Sequence, residues 1–115
     1  MAELSVVIIA ADNEQRAVMQ VLVDGTSVAR VVQSGTNYPV TASDPLVARL
    51  QSSKPDVVLV DIPASHSASA LQAVEVLHHE LPEVAIFAIG GLSQPQVIVS
   101  TMRARSRFIL TGRPT

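Results

Sequence analysis

The 115-residue sequence predicts an α/β domain: a doubly wound, five-stranded parallel sheet with helices on both faces. Three observations carry that expectation. Short apolar runs recur at regular intervals, at Val6–Ala11, Val28–Val32, Val57–Ile62, Val84–Ile89 and Phe108–Leu110. Segments with helix-capping signals separate them. The third and fourth runs, VVLVDI and VAIFAI, are continuous and rich in branched side chains, as in strands buried on both faces. Strand–helix alternation implies a parallel sheet, and right-handed crossovers leave few topologies open.

Each element has its own signal. After the first strand, Asp12 reads as a helix N-cap with Gln15 at capping-box spacing, and Gly25 as the end of that helix. The stretch QSGTNYPVTA, residues 33–42, is polar, contains Gly35 and Pro39, and reads as a loop. Asp44-Pro45 is a cap followed by a first-turn proline. Ser69 with Gln72 has capping-box spacing, and Leu71, Val74, Leu77 and Leu81 form the apolar stripe expected of the third helix. Ser93 with Gln96 opens a fourth helix, and Phe108–Leu110 is the fifth strand. The sequence stops at Thr115 with no fifth helix written, so residues 1–115 are expected to be a single domain cut from a longer protein.

Composition narrows the function classes. The chain is 48% hydrophobic and 16% charged, too apolar for a disordered segment. Val (18 residues) and Ala (14 residues) dominate, and Tyr38, Phe87 and Phe108 are its aromatics, so the core is aliphatic and no platform exists for stacking bases. With no Cys, disulfides, thiolate metal sites and cysteine catalysis are excluded. No apolar run approaches the roughly 20 residues of a membrane span, and the N-terminus lacks a signal-peptide pattern, so a soluble, cytoplasmic protein is expected. Net charge is −2 but unevenly placed. Residues 1–83 hold ten acids against Arg16, Arg30, Arg49 and Lys54; residues 84–115 hold Arg103, Arg105, Arg107 and Arg113 and no acid. An overall acidic chain is a poor nucleic-acid binder, so the basic stretch reads as a protein-contact face.

In an open parallel sheet, ligands bind outside the carboxyl ends of the strands. Asp61 is the most informative residue there, because it closes the apolar strand VVLVDI, where a carboxylate has no packing role. Carboxylates at adjacent strand ends, Asp61 with Asp12 and Glu14, suit a hard divalent cation; beside such a cation a carboxylate can act as a nucleophile toward a phosphoryl group. A flavin phosphate site is disfavoured, because Asp12-Asn13-Glu14 would repel a phosphate. Gly90-Gly91 lacks dinucleotide-loop spacing, and His66 lacks the spacing to Asp61, and the following glycine, of a cobalamin site. His78 and His79 are helix neighbours about 100° apart and cannot chelate one metal together; they read as solvated surface, one of them pairing with Glu75 or Glu80, and His66 reads as a loop histidine.

The stretch KPDVVLVDIP (Lys54–Pro63) resembles the phosphoacceptor strand of response-regulator receiver domains, of the chemotaxis-regulator fold. The resemblance runs through LPEVAIFAI to Arg113-Pro114. It implies the flavodoxin-like strand order 2-1-3-4-5, with Asp61 as phosphoacceptor for a sensor histidine kinase. It implies magnesium held weakly by Asp12, Asp61 and the Pro63 carbonyl. Asp12 fits one acidic-turn position; its partner is Ala11 or Asn13 depending on register, and Glu14 is a substitute. Gly90 stands where the family has the switch Thr or Ser, and Phe108 falls at the switch aromatic. Arg113 before Pro114, or Gly112, falls at the family's Lys before a cis proline. SDPLVARLQSSKPDVVLVDIP, IFAIGGLSQPQVIVSTMRA and the closing RPT are similar to the N-terminal receiver-like domain of TadZ/CpaE-type pilus-assembly proteins, which precedes an ATPase domain. That resemblance implies an atypical receiver working by protein interaction or homodimerisation. Its docking face would be formed by the fourth helix and fifth strand, with Arg103, Arg105 and Arg107 close by.

Overall fold

A computed structural model describes residues 3–63 and 67–90. Seven elements alternate along the chain: β1 (Leu4–Ile9), α1 (Asn13–Asp24), β2 (Ala29–Gly35), α2 (Pro45–Ser53), β3 (Val57–Ile62), α3 (Ser67–Glu80) and β4 (Ala85–Gly90). The strands form one parallel sheet in the order β2-β1-β3-β4. This agrees with the expected doubly wound sheet over its first four strands. The expected fourth helix, the strand at Phe108–Leu110 and the absence of a fifth helix lie outside the described residues.

The central strands β1 and β3 are buried almost throughout, because helices cover both faces of the sheet. On one side Val6, Ile8, Val57 and Leu59 pack with Met19 and Val23 of α1. On the other, Val7, Ile9, Val58 and Val60 pack with Leu46, Val47 and Leu50 of α2 and Ala70 and Leu77 of α3. Alternation along β1 and β3 assigns residues to these two layers, which is why both strands read as continuous apolar runs.

Several local expectations change. The second strand continues through Gly35, although Gln33–Gly35 is polar. It is an edge strand, so polar residues there meet solvent. Its register against β1 shifts between Val31 and Gln33, leaving Val32 as a bulge residue that is 48% exposed. A bulge on an edge discourages pairing with another chain. Of the expected stripe, Val74 and Leu77 of α3 and Leu81 just after it pack, joined by Ala70 and Ala73, while Leu71 is 53% exposed. Leu71 and Leu77 are six residues apart, about 120° around the helix, so they do not share one face. The helix starts at Ser67. Gln72, inside it, donates from Nε2 to the Val40 carbonyl at 3.0 Å, tying α3 to the loop before α2.

The caps follow the sequence. Asp12 accepts from the backbone N–H of Glu14 and Gln15 through Oδ1, at 2.7 and 3.0 Å. Asp44 accepts from Leu46 N–H at 2.9 Å, with Pro45 in the first turn. Gly25 follows α1 in right-handed conformation, φ −70°, so it is the end of the helix without being a left-handed cap. That conformation falls to Lys54 after α2, at φ 48°. Asp56 fastens the amino ends of three strands. Its Oδ2 accepts from Ser5 N–H at 2.8 Å, its N–H donates to the Ser5 carbonyl at 2.9 Å, and its carbonyl accepts from Ala85 N–H.

Candidate functional site

The carboxyl ends of β1 and β3 meet at one corner, and Asp61 lies there. Sheet alternation places it after Val57 and Leu59, on the α1 side. It is 3% exposed. Among the described residues, no hydrogen-bond donor reaches its carboxylate. Burial, and then the charge of Asp12, push its pKa up from the ordinary carboxylate value. A buried, unpaired carboxylate favours the neutral form because desolvation penalises charge. Asp12 is near enough for its charge to act on Asp61.

The corner's other residues are arranged less favourably for a cation. Asp12 is exposed and its Oδ1 is committed to capping α1. Ala11, beside it, contributes no side-chain oxygen. The Asn13 amide oxygen accepts from Arg16 Nη2. Glu14 is exposed in the first turn of α1. Pro63 is half-buried just after β3. Among the described residues no group of three acidic or histidine side chains is placed to hold a metal. Magnesium takes octahedral oxygen coordination and needs more anionic support than one free carboxylate and one capping carboxylate provide. The donor set among the described residues falls short of what a resident magnesium ion takes.

Tyr38 is a feature of the corner that sequence reading missed. It sits in the loop between β2 and α2 and reaches over the strand ends. Its hydroxyl donates to the Asp61 carbonyl at 2.8 Å and accepts from Ala11 N–H at 3.4 Å. It therefore links the ends of β1 and β3. Burial raises the pKa of its phenol; the Ala11 N–H opposes this, and the nearby Asp61 charge adds to it. A lone tyrosine in a polar loop carries no sequence signal for this role. Beside it, Ala11, Thr36, Asn37, Tyr38, Val40 and Ser69 line an open cavity of about 400 Å³.

Gly90 ends β4 in register with Ile62, and Ile89 with Asp61, so Gly90 stands at the carboxyl end of the strand beside Asp61. As glycine it offers no hydroxyl to a group on Asp61. His78 and His79 lie on exposed helix surface, and His79 Nδ1 pairs with Glu80 Oε2 at 2.7 Å. His66, Arg103, Arg105, Arg107, Phe108, Arg113 and Pro114 lie outside the described residues. No helix among the described residues is long and apolar enough to cross a membrane.

No protein-family model matches the sequence, and a comparison with curated proteins finds no match. Solved structures do resemble it. The response regulator domain of Thermotoga maritima CheB has a TM-score of 0.60 and 14% identity, covering 96% of this chain and 93% of that one. A pilus assembly-related protein of Burkholderia pseudomallei has a TM-score of 0.64 and 15% identity, covering 90% of each chain. The signal receiver domain of the response regulator NarL from Mycobacterium tuberculosis has a TM-score of 0.57 and 16% identity, covering 93% of this chain and 98% of that one. Identities this low speak for architecture and not for activity, and on architecture they agree: the chain has the flavodoxin-like fold of response-regulator receiver domains.

Proposed function

We propose that this chain is an atypical receiver domain acting as a protein-interaction or localisation module, without enzymatic activity, in a pilus-assembly or signalling protein. The single observation that carries this reading is the acidic corner. Asp61 is buried with no hydrogen-bond donor on its carboxylate among the described residues, burial and then the Asp12 charge raise its pKa, and Asp12 itself is occupied as a helix cap. A phosphoacceptor carboxylate works as an anion, and burial together with the Asp12 charge makes that anion more costly here. Gly90 removes the hydroxyl through which a group on Asp61 would reach the neighbouring strand. One neighbour of the fold, the Burkholderia pseudomallei protein, is pilus assembly-related, which supports that setting. The docking surface on this reading involves Arg103, Arg105 and Arg107, which lie outside the described residues and concentrate positive charge in the sequence. It serves a protein partner or a second copy of the chain.

A second reading is a phosphorelay receiver that accepts a phosphoryl group on Asp61 from a sensor histidine kinase. It is favoured by the place of Asp61 at the carboxyl end of β3, at the same corner as Asp12. One experiment separates the two. The protein is incubated with magnesium and a small phosphodonor, and its intact mass is recorded. The interaction-module reading expects no change. A gain of about 80 Da, one phosphoryl group, that Asp61→Asn abolishes would establish the second reading.

A further inference from the structure

A cleft of about 540 Å³ opens at the carboxyl end of β2, and neither Asp12 nor Asp61 lines it. Its walls come from the end of β2, the loop that follows, the start of α2 and the first turns of α1. Two of the four cationic side chains in residues 1–83 meet there, Arg16 from α1 and Arg49 from α2, although that stretch carries ten acids. Asp44 is the one carboxylate among the described lining residues, and its Oδ1 is already bonded to Leu46 N–H. The cleft is thus locally cationic within an acidic stretch of chain.

Arg16 is held in place before any ligand arrives. Its Nη1 donates to the Ala10 carbonyl at 3.0 Å and its Nη2 donates to Asn13 Oδ1. A guanidinium has five N–H donors, so others remain for a ligand, and prior ordering lowers the entropy lost on binding. Thr36 and Asn37 add neutral polar groups to the lining. No aromatic side chain is among the described lining residues, so a ligand is recognised there by charge and hydrogen bonding. Guanidinium groups match phosphate oxygens in both charge and geometry, and two arginines line this cleft. Ligand clefts of open parallel sheets lie outside strand carboxyl ends, as this one does.

We propose that this cleft is a binding site for a small phosphate-bearing anion of diphosphate size, separate from the Asp61 corner and independent of its chemistry. The test is calorimetric titration of the full chain with inorganic pyrophosphate and with inorganic phosphate as probes. Saturable binding is expected, tighter for pyrophosphate. Arg49 is exposed, so Arg49→Ala should fold normally and weaken binding about tenfold, the cost of losing a charged hydrogen-bond partner. Asp44→Asn keeps an N-cap residue and removes the opposing charge, so it should tighten binding several-fold. Arg30→Ala, on β2 but outside the cleft, should leave affinity unchanged. Absence of binding, an equal loss in Arg30→Ala and Arg49→Ala, or an Asp44→Asn variant with unaltered affinity would each overturn the proposal.

Discussion

Replacing Asp61 with Asn should stabilise the protein at neutral pH, which is the reverse of what most buried substitutions do. The wild-type carboxylate is 3% exposed and meets no donor among the described residues. A buried polar group left unsatisfied costs about 1–3 kcal/mol, and more when charged. The Asn amide keeps the shape, removes the charge, and retains a smaller burial cost of its own. The expected net gain is about 1–2 kcal/mol. For a chain of 115 residues, 1 kcal/mol corresponds to about 4 °C in Tm, so Tm should rise by about 4–8 °C. The gain must depend on pH. Burial and the Asp12 charge raise the folded-state pKa of Asp61 above the unfolded value of about 3.9. Between those two values the folded state holds more protons, so wild-type stability falls as pH rises through the window and stays lower above it. Asn does not titrate. The difference between the two proteins should therefore be smallest near pH 4 and largest at pH 8. Thermal unfolding of both at pH 4, 6 and 8 measures it. A variant less stable than wild type at pH 8, or a difference independent of pH, would refute the reading that the Asp61 carboxylate is buried with no donor among the described residues.

Three further outcomes follow from the same geometry. Tyr38→Phe removes the hydroxyl joining Asp61 and Ala11 and should cost about 1 kcal/mol, since the 2.8 Å bond matters and the 3.4 Å one contributes little; urea unfolding at pH 7 checks it. Asp56→Ala releases Ser5 N–H and should cost about 1–3 kcal/mol, read in the same unfolding experiment. Magnesium at about 10 mM should raise Tm by less than about 2 °C, the limit for a dissociation constant of 10 mM or weaker; a larger rise that Asp12→Asn removes would show a competent cation site.

The layers were legible because apolar runs and caps are local signals. VVLVDI and VAIFAI announced β3 and β4, and Asp12 and Asp44-Pro45 placed the starts of α1 and α2. The tail of β2 was not legible: Gln33–Gly35 pairs with β1 at the sheet edge, where solvent accepts polar side chains and backbone pairing alone defines the strand. Of the stripe expected in the third helix, Val74, Leu77 and Leu81 pack and Leu71 does not; Ala70 and Ala73 complete the packed face and, being small, carry little hydrophobic signal. At the corner, Asp61 stood out as a carboxylate ending an apolar strand. The Tyr38 bridge and the Arg16–Arg49 cleft did not, since each joins residues far apart in sequence through contacts that only the fold creates.

On the function proposed above, this receiver-shaped domain engages its partners without a phosphorylation switch. Sedimentation velocity of the protein with magnesium, in the presence and absence of the phosphoryl mimic beryllofluoride, tests it most directly. The expected result is one sedimentation profile under both conditions, with any self-association already present, weakened by salt and reduced when Arg103 and Arg107 are changed to Glu. A monomer that dimerises only when beryllofluoride is added would contradict the account and make Asp61 the switch.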